Sequence, residues 1–382
     1  MSIFRRPQQA PVVIYPKGKS SDILLTYLDQ TQVIVTNPWE GTLNIPTICR
    51  MFASFKFSRF HYLIAYLRLT HAKFVITTTD NDITFYRIKK YLPAVTTIAI
   101  QNGLRVNYAS VDNPGFLEHL ARQTDLHCDY ILTFGESMGL EFQKYITTEF
   151  FAIGSIRNNS FFPSAAIQKS NQLAYISQLT NRALGPDDHF ADYKGNPISY
   201  QEFYAAEKLI CDYLAKYCSE RDLKFIVCGK QPTTFVAEQS FFKPHKVSGR
   251  NEPFSSYDML NESQIVVSLD STVGYEFLSR GNRVVMVGGR FSHHPNKTVR
   301  NMPDIKFGYP SDLPTNGPFW ISDLSESHLT TRLDLVRSMS NESWTNLIKP
   351  YQDLLMRFDP DNRILKQTFS DIGLPTIIGK PV

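Results

Sequence analysis

Several features that mark common protein classes are missing from this chain of 382 residues. Its five cysteines form no C-x-x-C pair and have no histidine at ligand spacing, which argues against zinc sites and a disulfide framework. No run of about 18 apolar residues suggests a membrane-spanning helix, and the start MSIFRRPQQAPVVIYP lacks the apolar core of a secretory signal. We therefore expect a cytoplasmic protein with reduced thiols.

An excess of one charge is also missing. The chain has 40 Lys and Arg against 36 Asp and Glu, a net charge of +4, so nucleic acid is not an expected partner. The basic residues are nevertheless uneven, because Arg5, Arg6, Lys17 and Lys19 precede the first acidic residue, Asp22. This end is either a solvated terminus or a surface biased towards an anionic partner, such as the inner membrane.

Several catalytic motifs are absent as well. The sequence contains no G-x-S-x-G, no H-E-x-x-H and no P-loop, and no G-x-G-x-x-G follows its first predicted strand. Hydrolase and dehydrogenase functions are therefore disfavoured.

Short apolar, β-branched runs alternate with helical stretches, which is typical of parallel sheets covered on both faces. Nine strands are predicted, at 32–37, 74–79, 96–102, 130–135, 150–155, 172–178, 223–230, 264–270 and 283–289. Helices are predicted at 57–70, 115–125, 200–221, 255–263, 271–281 and 343–358. The pattern restarts after a polar stretch at 157–172, so we predict two Rossmann-like α/β domains, 1–160 and 172–340, with C-terminal helices at 341–382 that pack back on the first.

In such sheets, ligands bind beyond the carboxyl ends of the strands, so the polar residues that follow each strand are the candidate site residues. In the second domain these are Ser177, Gln178, Lys230, Asp270, Ser271, Thr272, Glu276 and Arg290. Ser271 and Thr272 would cap a helix and bind phosphate, Glu276 would reach a sugar hydroxyl, and Lys230 would bind phosphate or carboxylate. An ordinary capped helix and a surface lysine are the alternatives.

A long polar loop after the 172–178 strand carries Asp187, Asp188 and Asp192, and loops of this length are usually functional or disordered. The first domain contributes residues expected to line the same cleft from the other side. They are Asp80, Asn81, Gln101, Asn102, Arg105 and Glu136, with Ser155 and Arg157 at the domain junction, where a hinge role is the alternative.

Taken together, five segments resemble bacterial surface-carbohydrate biosynthesis transferases of capsule and O-antigen, among them β-Kdo transferases that use a CMP-linked donor. The segments are IQNGLR (100–105), LTFGESMG (132–139), AIGSIRNN (152–159), YISQ (175–178) and VSLDSTVGYEFLSRGNRVVMVGG (267–289). The resemblance implies a GT-B-like α/β architecture, with two Rossmann-like domains facing across a cleft and the nucleotide held by the second.

The same resemblance assigns roles to residues. Lys230, Gln231 and Pro232 look like a Lys-x-His-Pro nucleotide-binding stretch in which Gln231 replaces histidine. Retaining Kdo transferases use a carboxylate nucleophile after the first strand of the donor domain, and SQLTNR has no aspartate there. The carboxylate would then come from the aspartates of the long loop or from Asp270.

These observations lead to one main hypothesis. The chain is expected to be a glycosyltransferase of lipopolysaccharide O-antigen or capsule synthesis that transfers a sugar, most plausibly Kdo from CMP-Kdo, to a glycan or lipid-linked glycan. Helix N–H groups and Lys230 would stabilise the leaving phosphate without a metal or other cofactor, and Glu136 would act as general base. The inner membrane or another transferase is a further expected partner. The alternatives are transfer of glycerol or ribitol phosphate from a CDP-linked donor and a non-catalytic sugar-binding protein.

Overall fold

The computed structural model describes residues 4–16, 18, 20–37, 43–53, 57–105, 116–163, 169–179, 189–191, 197–230, 232–249, 254–292, 297–300 and 306–377. The chain divides into two compact units, each built on its own parallel sheet. Unit 1 comprises Met1–Gly103, Leu120–Ser160 and Met356–Val382, and unit 2 comprises Leu104–His119 and Phe161–Leu355.

Unit 1 contains a six-stranded parallel sheet with the strand order β2-β1-β3-β4-β5-β6. Its strands are β1 (Val12–Ile14), β2 (Val33–Val35), β3 (Phe74–Thr77), β4 (Thr96–Ile100), β5 (His127–Thr133) and β6 (Thr147–Ala152). Its helices are α1 (Ser21–Leu25), α2 (Ile45–Phe52), α3 (Arg59–Leu69), α4 (Ile88–Tyr91), α6 (Glu136–Gln143), α7 (Ile156–Asn159) and α15 (Arg363–Asp371). Helix α5 (Phe116–Ala121) is divided between the two units.

Unit 2 contains a second six-stranded parallel sheet, with the order β11-β10-β7-β12-β13-β14. Its strands are β7 (Gln172–Ile176), β10 (Lys224–Cys228), β11 (Val247–Ser248), β12 (Ile265–Ser268), β13 (Val284–Val287) and β14 (Trp320–Ile321), beside an antiparallel pair, β8 (His189–Ala191) and β9 (Pro197–Ser199). Its helices are α8 (Tyr200–Glu220), α9 (Phe235–Phe241), α10 (Ser255–Asn261), α11 (Thr272–Ser279), α12 (Lys297–Arg300), α13 (Glu326–Ser338) and α14 (Asn341–Leu355). This is the Rossmann strand order 3-2-1-4-5-6. The strands β10 and β11 are added on one side of β7, and the chain then crosses to add β12, β13 and β14 on the other side, so the topological switch point lies between β7 and β12.

The sequence explains the main elements of unit 2. Strands β7, β12 and β13 are short apolar runs whose interiors are buried, as expected where helices cover both faces of a sheet. Helix α8 begins at a capping box in which the Ser199 hydroxyl accepts from the Glu202 N–H and the Glu202 carboxylate accepts from the Ser199 N–H.

Each of the nine predicted strands and six predicted helices overlaps an observed element of the same type, although β5, β6 and α14 begin two or three residues before their predicted ranges. Strand β1 was missed, because three apolar residues between Pro11 and Pro16 give too short a pattern, and the two-residue strands β11 and β14 were missed for the same reason. None of the helices in the described ranges has the length and hydropathy needed to cross a membrane.

Candidate functional site

The strongest candidate site lies in unit 2, at the carboxyl ends of the strands around the topological switch point between β7 and β12. Ligands of open α/β sheets bind at such a switch point. Gln178 follows β7, Lys230 follows β10, Asp270 follows β12 and Arg290 follows β13. Glu207 reaches the same place from helix α8, where its carboxylate oxygen Oε2 accepts the Gln178 N–H at 2.9 Å.

These five residues, called here the carboxyl-end network, are joined by consecutive polar contacts. The Lys230 Nζ donates to the Gln178 carbonyl at 3.0 Å, and Gln178 in turn binds Glu207. Arg290 contacts Glu207 Oε1 at 3.4 Å through Nη1 and Asp270 Oδ2 at 2.9 Å through Nη2. The network therefore links the ends of the neighbouring strands β10, β7, β12 and β13 through two cations, two carboxylates and the Gln178 peptide groups.

Arg290 occupies the centre of this network. Its side chain is 2% exposed, and its guanidinium also donates to the Phe203 carbonyl and lies 4.6 Å from the centre of the Phe203 ring. A planar guanidinium can bind two carboxylates and stack on an aromatic ring at once, which a lysine cannot do. Arg290, predicted as a ligand-binding residue, is thus engaged with carboxylates of the protein and is placed to orient them.

The two carboxylates on Arg290 differ in their burial. Glu207 is fully buried, and burial raises its pKa to about 7 although the positive charge of Arg290 opposes the shift. The Asp270 side chain is 8% exposed. Asp270 is therefore the less buried of the two carboxylates, although its Oδ1 atom is buried as well.

Lys230 is held from two sides. Its backbone N–H donates to Glu238 Oε1 at 2.8 Å, and the same oxygen accepts the Ser177 hydroxyl at 2.6 Å. Burial lowers the pKa of the Lys230 ammonium, while the charges of Glu207 and Asp270 act in the opposite direction. Ser177, a predicted nucleotide ligand, is thus bonded to the buried Glu238 and fixes the turn after β7.

Helix α11 starts beside Asp270. The Ser271 hydroxyl caps it by accepting the Val273 N–H at 3.3 Å, and Thr272 Oγ1 accepts the Leu104 N–H at 3.4 Å. Glu276, predicted to reach a sugar hydroxyl, is buried one turn later, where its carboxylate accepts the Tyr257 hydroxyl at 2.5 Å. The structure therefore places Ser271 and Thr272 at the strand ends and directs Glu276 into the interior.

In unit 1 the predicted residues link strand ends to one another. The Gln101 side chain accepts the Phe134 N–H at 2.8 Å and donates to the Gly103 carbonyl at 3.0 Å, which ties the ends of β4 and β5 together. The Asn102 N–H donates to the buried Asp80 carboxylate at 3.0 Å, and its side-chain amide donates to the Thr78 carbonyl.

The remaining candidates of the first predicted domain make other contacts. Glu136 is exposed at the start of α6, with an oxygen 3.7 Å from the Arg357 guanidinium. The Ser155 hydroxyl caps α7 by accepting the Asn158 N–H, and Arg157 is exposed on that helix. Arg105 belongs to unit 2, where its guanidinium lies 5.8 Å from the Phe116 ring centre.

Some predicted residues lie outside the described ranges. They are Asp187, Asp188 and Asp192 of the long loop and Gln231 beside Lys230. Their proposed catalytic and nucleotide-binding roles remain predictions.

The sequence reasoning missed Glu207 and Glu238, because it searched only the ends of strands. Glu207 shares the buried face of α8 with Ile210, Cys211 and Leu214, at spacings of three, four and seven residues. Burying an unpaired carboxylate costs free energy, so a glutamate on the apolar face of a helix indicates that a partner lies nearby. This position of Glu207 is the sequence signal that would have identified it.

Comparison with known proteins adds a family and a fold. A family model described as "putative O-antigen biosynthesis protein" matches residues 98–371. No curated protein sequence matches the chain significantly.

Solved structures with similar folds share little sequence with this chain. One from Listeria monocytogenes, described as "putative UDP-N-acetylglucosamine 2-epimerase", is 10% identical over 96% of this chain and 97% of its own, with a TM-score of 0.52. The UDP-GlcNAc 2-epimerase of Methanocaldococcus jannaschii (12% identity, 94% and 99% coverage, TM-score 0.48) and the wall teichoic acid polymerase TagF (12% identity, 94% and 87% coverage, TM-score 0.47) are also similar. The predicted GT-B-like α/β fold class is confirmed.

Proposed function

The chain belongs to the O-antigen biosynthesis family whose model it matches, and from this premise we propose that it is a glycosyltransferase that uses a nucleotide-activated sugar. The carboxyl-end network of unit 2 carries this proposal. It brings a lysine, an arginine and two carboxylates to the switch point of a Rossmann sheet, where this fold binds nucleotides.

The network supports the chemistry of such a transfer. When the bond between the anomeric carbon and the donor phosphate breaks, the phosphate gains negative charge and the sugar becomes oxocarbenium-like. Lys230 and the capped start of α11 at Ser271 and Thr272 offer positive charge and hydrogen-bond donors to the phosphate. No bound metal is needed for this step in our proposal.

A carboxylate is needed on the sugar side of the reaction. Asp270 fits this role better than Glu207, because its side chain is the less buried of the two and its orientation is fixed by Arg290. It would either stabilise the positive sugar or attack it, and the general-base role expected of Glu136 stays a prediction from the sequence.

The donor is the finer part of the proposal. The sequence resemblance to β-Kdo transferases favours CMP-Kdo, with a glycan or lipid-linked glycan as acceptor. Transfer of glycerol or ribitol phosphate from a CDP-linked donor would use the same phosphate-binding groups. Release of CMP from each donor, measured with the purified protein, distinguishes these alternatives.

Nucleotide titration tests the site itself. We expect CMP, CDP or UDP to bind the wild-type protein in isothermal titration calorimetry and Lys230→Met to weaken that binding at least tenfold, because a charge-assisted phosphate contact is lost. Lys224→Met is the matched control, since Lys224 is exposed at the opposite end of the same strand β10. Asp270→Asn should keep the affinity within a few fold and lose at least a hundredfold in CMP release.

Two results would refute the proposal. One is the absence of binding by every nucleotide tested, together with tight binding of a free sugar, which would indicate a non-catalytic sugar-binding protein. The other is equal weakening by the Lys230 and Lys224 substitutions, which would place the nucleotide away from the carboxyl-end network.

A further inference from the structure

Exposed apolar side chains are concentrated near the amino-terminal end of unit 1. Among the described residues, ten large apolar side chains are exposed, and five of them fall within the first 57 positions. They are Phe4, Leu43, Ile45, Phe52 and Phe57, with exposures from 37% to 78%. A concentration of this kind marks an interaction surface, whereas single exposed apolar residues do not.

Specific contacts join these residues into one surface. The Asn44 side chain donates to the Arg5 carbonyl at 2.6 Å, which fixes Phe4, Arg5 and Arg6 beside the start of α2. The same side chain accepts the Thr47 N–H and caps α2. At the other end of α2, the Phe52 and Phe57 ring centres lie 4.8 Å apart. We call this surface the N-terminal patch.

Helix α2 turns an apolar stripe outward. Ile45, Cys49 and Phe52 are spaced by four and three residues, so they share one helix face, and all three are exposed. The buried residue of this helix is the polar Thr47. Ile48 and Met51 are half-buried, so only part of the apolar surface of the helix packs on unit 1, and the stripe of Ile45, Cys49 and Phe52 is left available to a partner.

Within the described residues 4–6, 43–53 and 57–69, the residues of the types Asp, Glu, Lys and Arg are all arginines. Arg5, Arg6, Arg50 and Arg59 are all exposed. The sequence contains no Asp or Glu before Asp22 and none between Gly41 and Thr79. The net charge of the whole chain, only +4, does not show this local excess of positive charge, because acidic residues elsewhere balance it.

We propose that the N-terminal patch binds the surface of an anionic phospholipid bilayer, with the aromatic and aliphatic side chains among the acyl chains and the arginines at the phosphates. Apolar residues surrounded by cations are the composition of interfacial membrane-binding elements. A second copy of the chain fits less well, because two such patches would bring arginines of like charge together. This inference goes beyond the proposed transfer reaction and does not depend on the donor.

Vesicle co-sedimentation with the full-length protein tests this inference. We expect binding to vesicles of phosphatidylcholine with phosphatidylglycerol and at least tenfold weaker binding to phosphatidylcholine alone. The double variant Phe52→Ser/Phe57→Ser should bind the anionic vesicles at least tenfold more weakly than wild type. Phe162→Ser/Val236→Ser, which removes two apolar side chains of unit 2 that are at least as exposed as Phe52, should leave binding unchanged.

The arginines have a separate signature. Arg5→Gln/Arg6→Gln should reduce binding about tenfold or more and weaken its dependence on salt concentration. Circular dichroism and nucleotide titration show whether each variant is folded and whether the proposed donor site is intact. Equal binding by the two serine variants, equal binding to both lipid compositions, or a patch-dependent dimer without vesicle binding would each overturn the proposal.

Discussion

At the scale of single residues, the contact between Arg290 and two carboxylates defines the candidate site. One guanidinium cannot fully neutralise Asp270 and a buried Glu207, and burial alone disfavours the charged form of Glu207. The pKa of Glu207, raised to about 7, places its proton exchange near neutral pH. The charge of the carboxyl-end network should therefore change near neutral pH.

This raised pKa has a measurable effect on stability. Because the folded state keeps the Glu207 proton up to about pH 7 and the unfolded chain releases it near the ordinary glutamate pKa of 4.5, the folded state binds more protons between these values. Its contribution to the free energy of unfolding should fall by up to about 3 kcal/mol as pH rises through this window and level off above it. The difference between wild type and Glu207→Gln, from urea unfolding at several pH values, should show this decrease.

Glu220→Gln is the control for this measurement, because Glu220 lies exposed at the end of the same helix α8. Its difference from wild type should change by less than about 0.5 kcal/mol over the same window. A difference between wild type and Glu207→Gln that does not vary with pH would contradict the assigned burial of a protonated carboxyl group.

At the scale of elements, helix α11 shows how the first turn of a helix is brought against a strand. Gly274 lies where an added Cβ would come within 2.5 Å of the Ser268 side chain on β12 and 3.2 Å of the Met286 side chain on β13. The lack of a Cβ at this position therefore lets these two strand side chains approach the first turn of α11. The glycine thus sets the distance between α11 and the strands that carry Asp270 and Arg290.

Replacing this glycine should therefore destabilise unit 2. We expect Gly274→Ala to lower the free energy of unfolding by about 1–3 kcal/mol, because the added methyl group cannot be accommodated without moving α11. Adding Ser268→Gly removes the facing side chain, so the double variant should lose less stability than the sum of the two single variants. Additive losses in urea unfolding would show that crowding between these two positions is not the cause.

The carboxyl-end network and helix α11 show how far the sequence could predict this site. Asp270, Ser271, Lys230 and Gln178 were found because polar residues that end apolar strands must meet at one edge of a parallel sheet. The burial of Glu276 could not be read from its spacing, because an acidic residue one turn into a helix is equally compatible with solvent and with the Tyr257 hydroxyl. Side-chain direction depends on packing by α10, which the local pattern does not contain.

At the scale of the whole molecule, the chain leaves unit 1 and later returns to it. The last segment of unit 1 begins at Met356, after helix α14 of unit 2. Leu365, Phe369 and Leu374 from this segment are buried in one core cluster with β1 residues such as Val12 and Ile14. Unit 1 is therefore built from both an early and a late segment of the chain. The sequence analysis expected C-terminal helices at 341–382 on the first domain, whereas α14 (Asn341–Leu355) belongs to unit 2, because periodicity within a short window does not show which core a helix joins.

Phe369 provides a test of this organisation, because its ring is fully buried in the core of unit 1. We expect Phe369→Ala to reduce the stability of unit 1 by about 3–5 kcal/mol, through lost burial and the cavity that remains. Hydrogen exchange measured by mass spectrometry should show faster exchange first in peptides that cover β1 and β5. Trp344→Ala, which opens a similar cavity in α14 of unit 2, should instead act first on peptides that cover β12 and β13. If both variants increased hydrogen exchange in the same peptides, the assignment of the C-terminal segment to the core of unit 1 would be wrong.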